Sequence, residues 1–382
     1  MAVIMYVKMA LGRERVRSCS QLPSAAKESR VDRRQFLKMS LAGVGALSGA
    51  LALGCAAGKS SGPATASGSA SAASPSANVG SAASAGSAAA SGNTTSTQAA
   101  SSDSLPIRTP GAPTIALNSG YAMPVLGIGT WTLSDDVAEQ SVRSALENGY
   151  RLIDTAQYYG NEEGVGRAVR NAIADGIVAR EDVFVTTKIS PNGYFDPPAA
   201  VVERLNKLNL DYIDLLLIHQ PGSNDEGVYR AMEQAVRADK VRSIGISNYY
   251  TPAQLDAVLA YAEIAPAVIQ NENHPYNQNS QLAAYAQEVC GAYVESWYPL
   301  GGRGNTDVLF GDETIAGIAA AHGVSPAQVL LRWHVQAGYV TIPGSSNPDH
   351  IAENIDIFDW ELTDQDMAAL AALDRQHRFE RW

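Results

Sequence analysis

The segment "IDTAQYYGNEE", residues 153–163, places a carboxylate, Asp154, five positions before a phenol, Tyr159. Upstream, "YRLID" reads as a short buried strand; downstream, "NEEGVGRAVRNAI" has the apolar spacing of a helix with acids in its first turn. Both groups therefore stand in the connection where a strand ends, a place where packing requires neither. Where other short apolar runs end, the residues are Trp131, Lys188, His219, the pair Ser247 and Asn248, Gln270, Trp297 and Ser345. A carboxylate, a phenol, an ammonium and an imidazole hold or move protons, which suits acid–base chemistry on a bound molecule. Singly, each has an ordinary explanation: a helix cap for Asp154, a solvated strand-end charge for Lys188, a satisfied core imidazole for His219. All of those explanations would have to hold at one rim at once.

Such residues meet only if one end of every strand reaches the same place. The runs "VLGIG", "YRLID", "DVFVTTK", "YIDLLLIH", "VRSIGIS", "AVIQ", "AYVESW" and "YVTIP" are separated by helix-like segments such as "VAEQSVRSALENG" and "PAAVVERLNKL". Their spacing is about that of a βα unit, roughly 30 residues. Eight alternations predict an α/β fold, a (β/α)8 TIM barrel, whose chemistry sits on the loops at the C-terminal ends of the strands. The preceding "TIALNSGYAMPVL" carries turn residues Asn118, Ser119 and Gly120 between apolar stretches and reads as an N-terminal β-hairpin capping the barrel's bottom. A doubly wound nucleotide domain would need a Gly-rich turn after its first strand; "GVGALSG" has the wrong spacing, and "GGRG" alone signals only a turn.

The first third of the 382 residues is of another kind. Paired arginines, Arg33 and Arg34, precede an apolar run from Met39 to Leu53 that ends in Gly54-Cys55, the layout of an export signal over residues 1–55. At about 15 residues the run is shorter than the roughly 20 that span a bilayer. "DRRQFLK" resembles a bacterial twin-arginine signal and "LALGC" a lipoprotein cleavage box, which implies lipidation at Cys55, export to the periplasmic side or cell envelope, and a membrane-tethered body. Residues 56–104 are almost all Ala, Ser, Gly and Thr and cannot repay the entropy of folding, so they read as a disordered linker with a reach of about 35 to 40 Å. The folded domain is expected over 105–382. Residues 1–104 hold 10 Lys plus Arg against 4 Asp plus Glu, leaving 18 against 35 in the rest, a net charge of −17 that argues against nucleic-acid binding. Beyond Cys55 the only cysteine is Cys290, so no internal disulfide and no zinc spacing is available.

From about Thr114 to the C-terminus the chain resembles the aldo-keto reductases. "GYRLIDTAQYYGNEEGVG" is similar to that family's first signature, which implies a catalytic set of Asp154, Tyr159, Lys188 in "FVTTKIS" and His219 in "LLLIHQP". "IGISNY" resembles the segment that binds the nicotinamide amide, with Ser247, Asn248 and, in "VIQNENHPY", Gln270 as contacts. Trp297 in "ESWYPLGG" takes the place of the aromatic that stacks on the nicotinamide, followed by Leu300 and Gly301. On that reading Tyr159 donates a proton to a carbonyl oxygen receiving hydride, Lys188 makes the phenol a better acid, Asp154 fixes Lys188, and His219 orients the substrate. Tyr158 is the neighbouring alternative for the acid, and the motif spacing selects Tyr159.

The resemblance implies NADP(H) ahead of NAD(H), and the adenosine end departs from the pattern. In "VTIPGSSNPDHIAENIDIF" the usual lysine is Gly344 and the usual arginine is His350, whereas Ser345, Glu353 and Asn354 match. Weak discrimination between the two nucleotides is therefore expected. Trp131, Tyr159 and His219 should line the pocket, with Gln220 beside them and Trp382 from the tail. Small aldehydes, 2-oxoaldehydes and keto sugars all suit that pocket, and a monomer needing no metal is expected. The other function class is a non-catalytic nicotinamide-nucleotide or ligand-binding lipoprotein on the same barrel. It would be expected to lose part of the proton-donating set, and the sequence retains all four.

Overall fold

The computed structural model describes residues 111–380. Cys55, the arginine pair, the linker and Trp382 lie outside the described residues. Strands rich in Ile, Leu and Val with no polar alternation must be covered on both faces, and these are: every residue of "FVTTKI" and "IDLLLI" is buried. Eight parallel strands run in chain order around one sheet: β3 (Gly127–Gly129), β4 (Leu152–Asp154), β5 (Phe184–Ile189), β6 (Ile213–Ile218), β7 (Val241–Ser247), β8 (Val268–Glu272), β9 (Tyr293–Trp297) and β10 (Val340–Thr341). Each corresponds to one of the eight apolar runs. Parallel bridges Leu126–Thr341 and Gly129–Gly344 close the sheet on itself. A Cβ on Gly129 would lie 2.9 Å from the Ile342 carbonyl oxygen, so glycine permits the approach of first and last strands.

The helices form because their apolar residues recur on one face. In Asp135–Glu147, Ala138, Val142, Ala145 and Leu146 are buried, Ser134 accepts from Val137 N at its start, and Asp135 and Asp136 occupy the first turn. Burying a side chain such as Val142 or Leu146 contributes about 1.5 to 3 kcal/mol. These faces pack on the outside of the sheet in the main apolar cluster.

A second cluster, with Leu152, Phe184, Leu215, Leu217, Val268 and Val340, fills the barrel interior. It is closed below by Leu117 and Met123 of the hairpin β1 (Thr114–Ala116) and β2 (Ala122–Pro124), which pair antiparallel. The hairpin's turn is tied down where Asn118 Nδ2 donates to the carbonyls of Pro266 and Cys290, at 2.8 and 2.9 Å, and where Ser119 Oγ meets Ser243 Oγ at 2.8 Å. With that end plugged, the other end is the mouth.

Candidate active site

Asp154 is the last residue of β4 and Lys188 the fifth of β5, so the register of adjacent parallel strands brings both side chains into the barrel. Lys188 is fully buried, and its Nζ uses three donors: to Asp154 Oδ1 at 2.6 Å, to the Thr155 carbonyl at 3.0 Å and to the Tyr159 hydroxyl oxygen at 3.1 Å. An ammonium only donates, so the Tyr159 oxygen accepts here, and its own O–H is left for an acceptor in the cavity. Tyr158 is 61% exposed and stacks on Trp131 at 5.6 Å between ring centroids, while Tyr159 holds the contact with Lys188. The contact with Lys188 therefore falls to the tyrosine that the motif spacing selects.

The charges in this group are governed by burial. Burial pushes the Tyr159 phenol up to about 12, with Lys188 pulling against it and Asp154 adding to the rise. Lys188 acts in the expected direction, making the phenol a better acid than burial alone would leave it, and desolvation outweighs that effect. Burial works against the Lys188 charge too, yet Asp154 and Tyr159 overcome it and hold the ammonium above its ordinary range. The Asp154 carboxyl is raised by burial, against the pull of Lys188 and Gln270.

His219 follows β6 and reaches the same space, its ring 5.7 Å from that of Tyr159 and edge-on. Burial, helped by the Lys188 charge, lowers its imidazole to about 3, so it is neutral at physiological pH. Its Nδ1 lies 3.2 Å from Ser190 Oγ, which leaves Nε2 for a ligand.

The loops carrying these groups are tied together by Asn161. Its Oδ1 accepts from Thr155 Oγ1 at 2.7 Å, and its Nδ2 donates to the carbonyls of Thr130 and Leu133, each at 2.9 Å. The Trp131 loop is thereby fixed to the Tyr159 loop.

Ser247 ends β7, and Asn248 follows with φ +67°, a left-handed conformation that asparagine tolerates better than most residues. Asn248 Nδ2 donates to the His219 carbonyl at 2.8 Å. Gln270, in β8, donates its two amide hydrogens to Asp154 Oδ2 and Glu295 Oε2, both at 2.8 Å. Only its oxygen remains for a ligand. Trp297 ends β9 and packs edge-on to Tyr298, whose hydroxyl accepts from Trp131 Nε1 at 3.1 Å.

Trp131, Asp154, Tyr158, Tyr159, Ser190, His219, Ser247, Asn248, Gln270, Trp297 and Tyr298 line one cavity of about 1080 Å³. It runs from Trp131, Tyr159 and His219, past Trp297 and Leu300, to Ser345, His350, Glu353 and Asn354. Gly301 lies behind the wall at φ +89°, while Gly302 and Arg303 face the cavity. At the far end Gly344 is exposed and Asn347 caps the helix Pro348–Ile355.

A C-terminal segment is tied to β8, the strand that carries Gln270. The buried carboxylate of Glu272 accepts from the backbone N–H of Phe379 at 2.5 Å and of Glu380 at 3.2 Å, and His274 Nε2 lies 2.9 Å from it. Tyr250 accepts from Glu272 N at 3.1 Å and donates to Asn248 Oδ1 at 3.2 Å, which links this clamp to the cavity wall. Sequence reasoning missed Asn161, Ser190, Glu272 and Glu295. The available signal was a polar residue inside an otherwise apolar run, as in "AYVESW".

The aldo/keto reductase family model matches residues 125–375. The chain is 40% identical over 311 residues to an NAD(P)H-dependent D-xylose reductase of Candida tropicalis, covering 71% of this chain and 95% of that protein. It is 41% identical over 277 residues to morphine 6-dehydrogenase of Pseudomonas putida, covering 69% and 92%. The crystal structure of an aldo-keto reductase from a Medee basin deep-sea metagenome library superposes with a TM-score of 0.66 at 35% identity, over 70% of this chain and 97% of that one. A barrel closed by these strands, a buried Asp–Lys pair on a tyrosine hydroxyl, and these matches agree: the chain is an oxidoreductase of the aldo/keto reductase family.

Proposed function

We propose that this enzyme reduces aldehydes or ketones to alcohols with a nicotinamide dinucleotide, Tyr159 being the proton donor. The observation that carries the reading is the Tyr159 hydroxyl, held by Lys188 at 3.1 Å and open to a cavity that His219 also faces. The donor set fits the cofactor. Gln270 offers only an oxygen, suited to the N–H of a carboxamide, Ser247 lies beside it, and Trp297 lines the cavity with an aromatic ring. The nicotinamide, when bound, supplies the hydride.

As charge develops on the substrate oxygen, Tyr159 transfers its proton to that oxygen. An alkoxide is a far stronger base than a phenolate, so transfer is favourable even from a phenol near 12. The new phenolate is stabilised in place by the Lys188 ammonium. Neutral His219, steadied by Ser190, orients the carbonyl through Nε2. Small aldehydes, 2-oxoaldehydes and keto sugars are the proposed substrates, and the D-xylose reductase among the relatives supports including sugars.

For the cofactor we propose use of both NADPH and NADH with weak preference, because Gly344 and His350 replace the two cations expected at the 2′-phosphate. We also propose twin-arginine export and lipidation at Cys55, on the sequence pattern alone, which would place a monomeric enzyme on the periplasmic side of a membrane. Steady-state reduction of a panel of these carbonyls by the purified body tests the activity. Nucleotide binding without turnover of any of them would favour a non-catalytic binding protein.

A further inference from the structure

Glu295 is a carboxyl group in the middle of the barrel, fully buried, and its Oε1 has no hydrogen-bond partner among the described residues. Such a group costs stability unless it has a task or carries a proton. Its Oε2 accepts one hydrogen of the Gln270 amide at 2.8 Å, and Asp154 Oδ2 accepts the other at 2.8 Å. Turning this planar amide over would give up both contacts and bring its oxygen against the Asp154 carboxylate.

We propose that Glu295 is a positioning residue for cofactor recognition: by taking the second Gln270 hydrogen it locks the Gln270 oxygen toward the cavity, as an acceptor for the carboxamide N–H of the nicotinamide. The inference rests on the cofactor reading above. It also accounts for the charge inside the barrel. Among the described residues Lys188 is the one ammonium hydrogen-bonded in this group, and of the two carboxyl groups it contacts Asp154, its other donors going to the Thr155 carbonyl and Tyr159, so two ionised carboxylates would leave one uncompensated. Burial, with the Asp154 charge, pushes the Glu295 carboxyl up to about 8, so that near neutral pH it carries a proton and leaves the ion pair intact.

Glu295→Leu removes the acceptor, and Glu295→Thr is a smaller replacement should leucine not fit. Glu295→Gln restores an acceptor oxygen. Calorimetric titration with NADPH and with 2′-phospho-ADP-ribose, which has no carboxamide, separates positioning from general damage. We expect the NADPH dissociation constant to rise about tenfold in the Leu or Thr variant, the size of one lost hydrogen bond, with the value for 2′-phospho-ADP-ribose within twofold. The Gln variant should recover most of the affinity. Turnover at saturating NADPH should fall less than the affinity does. An unchanged NADPH constant overturns the proposal, and so does a parallel loss for both nucleotides. A wild type that binds neither nucleotide removes the cofactor reading itself, a result distinct from both.

Discussion

Ser190 Oγ, on the wall of the cavity, lies 3.2 Å from Nδ1 of His219 and so engages the ring nitrogen opposite Nε2. The imidazole, lowered to about 3 by burial and by Lys188, does not titrate between pH 5 and pH 8. Ser190→Ala should therefore lower kcat/KM about tenfold through loose orientation, without changing the pH profile. An NMR titration of the His219 ring checks the charge state; a midpoint near 6.5 would contradict the neutral role.

Tyr159→Phe keeps the ring and removes the hydroxyl. Carbonyl reduction should fall by at least about 100-fold while nucleotide binding stays within a few-fold. Tyr158→Phe should change turnover little, because Tyr158 stacks on Trp131 at 5.6 Å and leaves the contact with Lys188 to Tyr159. Single-turnover rates of the two variants decide the matter, and a larger loss in the Tyr158 variant would reverse the assignment.

Breaking the buried pair should cost more stability than replacing it. Lys188→Met leaves Asp154 uncompensated inside the barrel, and a loss of about 3 to 5 kcal/mol is expected. Adding Asp154→Asn should return part of that loss. Urea melts of the single and double variants measure the coupling, and strictly additive losses would argue against it.

A raised carboxyl leaves a signature in stability. The folded chain keeps the Glu295 proton up to about pH 8, whereas the unfolded chain releases it near its ordinary value of 4.5. The folded state thus binds more protons between those limits, and this contribution to stability declines as pH rises from 4.5 to 8. Glu295→Gln should gain on the wild type across that interval. Melting temperatures at pH 5 and pH 9 give the comparison; a pH-independent difference would mean that the carboxyl is not protonated in the fold.

On the proposed cofactor reading, the choice between NADPH and NADH turns on the far end of the cavity. A charge-assisted hydrogen bond to a 2′-phosphate is worth about 1.5 to 3 kcal/mol, so lacking two cations should erase most preference for NADPH. Gly344→Lys with His350→Arg should install it, chiefly by tightening NADPH binding. A Cβ at Gly344 would sit 3.1 Å from the Gly129 carbonyl oxygen, so the barrel seam must yield by a few tenths of an ångström, and melting temperature belongs beside the dissociation constants. A wild type that prefers NADPH by about 100-fold at pH 8 would point to another cation, Arg303 on the cavity wall being placed for it.

The eight strands were legible because burial on both faces leaves an unbroken apolar run, and that signal does not depend on distant residues. Asp154, Ser247 and Trp297 were legible for a related reason: each interrupts its run at the end that a barrel turns toward the ligand. Glu295 interrupts a run in its middle; alternation puts it on the face of Trp297, but nothing local says which partner a carboxyl finds inside the barrel. Ser190 and Asn161 act through partners 29 and 31 positions away, which no periodicity encodes. The burial that raises the Tyr159 phenol was not legible, because motif spacing reveals which charges come close and conceals how little water remains around them.

The Glu272 clamp has a consequence for how the chain is made. Glu272 precedes Phe379 by 107 positions, so during synthesis its carboxylate is in place long before the two backbone N–H groups that satisfy it exist. Until then that acid needs water in their place, and the wall linked to it through Tyr250 and Asn248 is completed only when Phe379 and Glu380 dock. A chain that has not yet delivered Phe379 and Glu380 thus leaves the Glu272 carboxylate without the two N–H groups that hold it in the fold.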